Sequence, residues 1–175
     1  MKHAFLSCVV LLSAAALGQQ AKSPVSDDLR EMLAGREKNT VSAFEQMPPG
    51  LFGYKPTEDQ ITFGHLAAHI VNSNYFFCSN VGDVSPPKAD SLQGTERKEK
   101  LIAALKASFE FCHEALAKAD DSKLGDSIMG SDGKPRQRSW AFLALASSWA
   151  DHYGTAAMYL RLNGVLPPTG KSGKE

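Results

Sequence analysis

Neither sign of charge is in excess in this 175-residue chain, which carries 19 basic against 19 acidic side chains. With no surplus lysine and arginine to neutralise phosphates, neither nucleic-acid binding nor attachment to an anionic membrane surface is expected. Several catalytic signatures are also missing. The sequence holds no Gly-x-Ser-x-Gly elbow, no phosphate-binding glycine loop and no His-Glu-x-x-His zinc helix. Internal repeats and low-complexity tracts are absent, and no segment alternates convincingly as a strand. At 43% hydrophobic and 22% charged, the remaining composition is that of one folded domain and excludes disorder.

Long apolar runs are lacking as well, except at the start. Lys2 and His3 precede an uncharged, mostly apolar stretch from Ala4 to Leu17, and Ala16-Leu17-Gly18 forms a small-x-small cleavage site. Residues 1–18 are therefore expected to be a secretory signal peptide. A retained anchor is the alternative, but the stretch is shorter than the ~18 to 20 apolar residues that span a bilayer. A lipoprotein is disfavoured because Cys8 lies inside the apolar run. The expectation is a periplasmic or secreted protein with no transmembrane segment after cleavage, comprising residues 19–168 as the domain and 169–175 as a flexible tail.

Punctuation divides the domain into four helical stretches. Ser23-Pro24 opens the first, and Met47-Pro48-Pro49-Gly50 stops it. Thr57-Glu58-Asp59-Gln60 reads as a capping box, predicting a second helix from there to about Asn80. Gly82 to Gly94 is a loop with Pro86-Pro87, and a third helix is predicted from Thr95 to about Ala119. Residues 120–138 read as connection, and Ser139 as the cap of a last helix that ends at Asn163-Gly164. Helices of this length would be about 33 to 38 Å long, the dimensions of an all-α four-helix bundle.

Loss of Cys8 with the signal peptide would leave Cys78 and Cys112 as an even pair in an oxidising compartment. Both lie far along their helices. Antiparallel second and third helices would hold the sulfurs about 25 Å apart, whereas parallel helices bring them level. The parallel threading requires a long crossover, and fourteen extended residues reach about 46 Å. A Cys78–Cys112 disulfide between parallel second and third helices is thus expected; the alternative is two separate buried thiols.

Beyond His3, four histidines remain. On the second helix, His69 flanks the apolar face of Phe63, Leu66, Ile70 and Phe77, beside Thr62, Ser73 and Phe76, with His65 rotated about 40° further out. On the fourth, His152 sits between Leu145 and Tyr159 at seven-residue spacing, in the middle of the buried stripe. His113 reads as a surface residue. Two inward histidines from facing helices can begin a metal site, but such a site ordinarily takes three protein ligands. The plain alternative is a hydrogen-bonded core histidine.

Several segments together resemble a known family. Thr62-Phe63-Gly64-His65-Leu66-Ala67-Ala68-His69 with Asn74-Tyr75-Phe76-Phe77-Cys78 is similar to the second helix of the DinB-like superfamily, the damage-inducible four-helix proteins. Asp151-His152-Tyr153-Gly154 and Tyr159 through Pro168 resemble its last helix and exit, and Met47-Pro48 through Tyr54-Lys55-Pro56-Thr57 its first connection. The resemblance implies the same up-down-down-up bundle. It also implies a divalent-metal site, commonly zinc or nickel, built from one histidine on helix two and a His-x-x-x-His pair on helix four, and a relationship to transferases and isomerases that use mycothiol or bacillithiol.

Carried over residue by residue, His69 takes the helix-two ligand position and His152 the second position of the helix-four pair, while Ser148 stands at the first. A neutral hydroxyl is a poor ligand beside imidazole for such metals. His65, one turn before His69, is the expected substitute, and Asp151 is rotated ~100° from His152 and fits poorly. Two functions follow from this. One is an exported metal-assisted hydrolase or transferase with a partly degenerate site; the other is a non-enzymatic periplasmic protein that binds a small molecule or forms a homodimer through Trp149, Tyr159, Tyr75 and Phe76-Phe77. Export argues against a thiol-dependent reaction, because low-molecular-weight thiols are reduced cytosolic species.

Overall fold

A computed structural model describes residues 23–88 and 91–171; the expected signal peptide lies outside the described residues. Helix α1 spans Pro24–Gln46, α2 Phe63–Gly82, α3 Lys98–Leu116 and α4 Arg138–Leu162. Two short antiparallel strands, β1 (Ser127–Met129) and β2 (Pro135–Gln137), form a hairpin ahead of α4, with Ser127 opposite Gln137.

Side-chain register establishes the threading. Asn74 meets Ser108 and Cys78 is disulfide-bonded to Cys112, so equal steps along α2 and α3 run in the same direction. The Cys78 and Cys112 Cα atoms are 5.2 Å apart. Against α4 the sense reverses: Asn74 pairs with Trp149, whereas Asn80 further on pairs with Arg138. Helices α1 and α3 are also antiparallel, with Glu37 beside His113 and Glu45 beside Lys106. The bundle is therefore up-down-down-up. The crossover that this demands runs from Asp83 to Arg97 and presses on the start of α2: a Cβ on Gly64 would lie 2.2 Å from the Gly94 carbonyl oxygen, and Gly94 itself has φ +77°. Only paired glycines allow that approach.

Phe44, Phe63, Phe109, Trp149 and Tyr159, with Leu33, Leu105 and Leu145, fill the core without exposure above 1%. The ends are tied by side chains reaching across the chain. Asp121 accepts from Val25 N, Ser26 N and Ser26 Oγ at 2.6 to 2.9 Å, capping α1 from the α3–α4 connection. In the opposite direction Arg30 closes the end of α3, donating to the Leu116 and Ala119 carbonyls.

Helix boundaries depart from expectation in three places. Helix α2 begins at Phe63, with Thr62 Oγ1 accepting from His65 N, and Thr57–Gln60 is a turn instead of a helix start. Residues 58–61 are exposed, so a helix begun at Thr57 would have no core to cover; the segment instead folds back so that Tyr54 O and Phe52 O accept from Phe63 N and Gly64 N. Helix α3 starts at Lys98 instead of Thr95, and α4 at Arg138, one residue before the expected cap Ser139, whose N–H pairs with Leu124 O. The connection also holds the β1–β2 hairpin, whose three-residue strands are too short to show alternation, although Asp132-Gly133, with φ +73° at Gly133, is a recognisable hairpin turn. The start of the expected tail is tied down: Thr169 N donates to Tyr153 Oη at 3.1 Å.

Candidate functional site

Helical spacing brings His69, Ser73, Phe76 and Phe77 to the side of α2 that faces α4. From the antiparallel α4 come Ala144, Ser147, Ser148, Asp151 and His152, and Ser131 at the hairpin tip borders the mouth. Together with Asn72 they enclose a cleft of about 620 Å³. The His69 and His152 rings stand edge to face, 4.9 Å between centroids. Their surroundings differ: His152 is 8% exposed, while His69 lies open at the rim.

Ser148 Oγ and His152 Nδ1 are 3.2 Å apart, one helical turn along the same face. Burial, reinforced by the nearby His69 and opposed by Asp151, pushes the His152 pKa down to about 4. At neutral pH the ring is thus uncharged, so its outer nitrogen can serve as one donor or one acceptor. Phe76 and Phe77 pack edge to face at 5.1 Å, and Phe77 leads on to Trp140 at 5.7 Å, which gives the cleft an aromatic wall. Among the described residues, no lysine or arginine lines it, and Asp151 is its one carboxylate.

Behind the cleft a sealed polar chain holds the two helices in phase. Trp149 Nε1 donates to Asn74 Oδ1 at 2.9 Å, Asn74 Nδ2 to Ser108 Oγ at 3.0 Å, and Ser108 Oγ to Leu105 O at 2.7 Å. Since Trp149 follows Ser148 directly, this chain orients the cleft-facing side of α4. A second hollow of about 510 Å³, between Phe52 and the start of α3, contains no imidazole.

The structure brings together His69, His152 and Ser148 but leaves His65 apart. His65 is exposed on the first turn of α2 and does not line the cleft. His113 is likewise exposed and bonds Glu37 Oε2 at 2.8 Å. Among the described residues, no three histidine, cysteine, aspartate or glutamate side chains converge as metal ligands. The donor set at the cleft, two imidazoles and a hydroxyl already engaged with one of them, does not fit a zinc or nickel centre with three protein ligands. Sequence reasoning missed Ser131, because its hairpin reads as plain connection, and Asn74, whose signal is a lone amide one turn before Cys78 in an apolar helix.

The DinB superfamily model matches residues 32–156. The chain belongs to this family. Among solved structures, a DinB-like protein from Bacillus subtilis superposes with a TM-score of 0.65 at 18% identity, covering 82% of this chain and 96% of that one. A DinB-like protein from Bacillus cereus ATCC 10987 gives 0.67 at 14% identity, over 81% and 95%. A mycothiol-dependent maleylpyruvate isomerase, in a histidine-to-alanine mutant form, gives 0.58 at 12% identity, over 73% of this chain and 59% of that one. At these identities the likeness concerns the fold. No curated protein matches the sequence. The comparisons thus agree on the family and on the DinB-like bundle fold.

Proposed function

We propose that this DinB-like protein is a non-enzymatic binder of a small organic molecule, neutral or cationic, which it holds in the α2/α4 cleft. The observation that carries the reading is the Ser148–His152 pair, in which the hydroxyl occupies the imidazole's Nδ1 where a third ligand would stand. The lining supports the ligand class. Phe76 and Phe77 offer aromatic surface, Asn72, Ser73, Ser147 and the two histidines offer hydrogen bonds, and Asp151 offers the only charge among the described residues. An anion would find no cation there to offset its desolvation. The metal-assisted hydrolase or transferase reading retains two ligands, His69 and His152, whose rings are near enough to share an ion with water completing its shell.

Export belongs to the same proposal. The buried Cys78–Cys112 disulfide supports an oxidising compartment, and no helix of the described residues is long and apolar enough to cross a membrane.

Three probes of matched size test the ligand class: 2-phenylethylamine, 2-phenylethanol and phenylacetate, titrated while the His69 and His152 ring signals are followed by NMR. The amine and the alcohol are expected to shift both rings, and phenylacetate neither. Preferential binding of phenylacetate would overturn the class. Stoichiometric zinc or nickel, bound at micromolar concentration and lost in His152→Ala, would favour the metal-assisted reading instead.

A further inference from the structure

We infer that Ser148 decides which kind of ligand this cleft accepts: its hydroxyl commits the site to organic molecules, and this one side chain keeps it from being a metal centre. The inference rests on the binding function proposed above.

Three observations converge on position 148. It lies one turn before His152 on α4, and both side chains line the cleft, so they are neighbours on one face. His69 approaches from α2 with its ring 4.9 Å from that of His152. The helices are held in phase immediately beside this point by the Trp149–Asn74 hydrogen bond. Two imidazoles and the Cβ of residue 148 therefore border one small volume, and what residue 148 carries determines whether that volume has two strong metal donors or three.

Space is not the limit. Ala144 one turn earlier, Ser147 beside it and Ser131 across the mouth are all small, and the cleft encloses about 620 Å³. A larger donor at 148 would enter this open volume without displacing a core residue.

The serine also has a positive use. A hydroxyl both donates and accepts, so Ser148 Oγ can satisfy His152 Nδ1 in either tautomer. The outer Nε2 is then free to present a lone pair or an N–H, whichever the ligand requires. An imidazole bound to an ion would lose that freedom.

Isothermal titration with zinc chloride of the wild-type chain, Ser148→His, and Ser148→His combined with His69→Ala tests this directly. The single variant is expected to bind one zinc at least about 100-fold more tightly than wild type, because loss of a direct ligand costs no less than loss of a residue that merely supports one. Adding His69→Ala should abolish the gain, and EDTA should lower the thermal midpoint of Ser148→His alone. Ser148→Asp, a smaller change that also supplies a strong donor, covers the case in which Ser148→His does not fold. Folded variants with no gain in affinity would overturn the inference while leaving the binding function intact. Tight one-to-one zinc on the wild-type chain would overturn both, a result readily told apart from the first.

Discussion

Five residues apart on α2, Asn74 and His69 each reach across to α4, and the two contacts have opposite character. Asn74 is 1% exposed, and both its amide oxygen and its amide nitrogen are engaged, by Trp149 and Ser108, with the Cys78–Cys112 disulfide one turn away. His69 is open at the rim, and beyond it Ser148 and His152 satisfy one nitrogen and leave another facing the cleft. The same helix pair thus carries a closed polar network and an open one. Fully satisfied networks specify a core, whereas hydrogen-bonding capacity left over beside a cleft is available to a ligand.

Breaking the closed side should have the largest effect. Cys78→Ala with Cys112→Ala releases a 34-residue sequence separation that includes the crossover, and is expected to cost about 3 to 4 kcal/mol in urea unfolding. An unchanged midpoint would mean that the α2/α3 seam does not depend on the bridge. Asn74→Ala should follow, at about 2 to 3 kcal/mol, because the buried Trp149 N–H and Ser108 hydroxyl lose their partner. His69→Ala, on the open side, should stay within about 0.5 kcal/mol. Equal costs for Asn74 and His69 would erase the contrast between the two networks.

Protonation sharpens the comparison from the other side. The His152 pKa is lowered from 6.5 to about 4 in the folded chain, so between those values the unfolded chain binds more protons. The resulting stability is complete above pH 6.5 and is lost as pH falls towards 4, by about 3 kcal/mol. His152→Gln should flatten this part of the pH profile, as measured by denaturant midpoints at fixed ionic strength.

Much of this molecule is legible without coordinates. The proline at the start of α1, the apolar spacing of Phe63, Leu66 and Ile70, and the glycine and prolines after Asn163 mark helices because they follow local rules of capping and periodicity. The cysteine spacing implies the parallel threading once the two are bridged, as Cys78 and Cys112 are, since covalent reach is a length that residue counts can measure. Capping-box chemistry at Thr57 is misleading, because a helix start needs a core to cover as well as a cap, and residues 58–61 face solvent.

The site divides along the same line. That His152 lies inward on α4 and that Ser148 shares its face one turn earlier are properties of the sequence, because both follow from helical phase on one element. That His69 lies open at the rim, that His65 stands apart, and that Ser131 reaches the mouth from a hairpin depend on how separate elements are set against one another. Periodicity assigns a side chain to a face; only the packed bundle decides what that face meets, because distances between elements arise from the summed fit of the whole core.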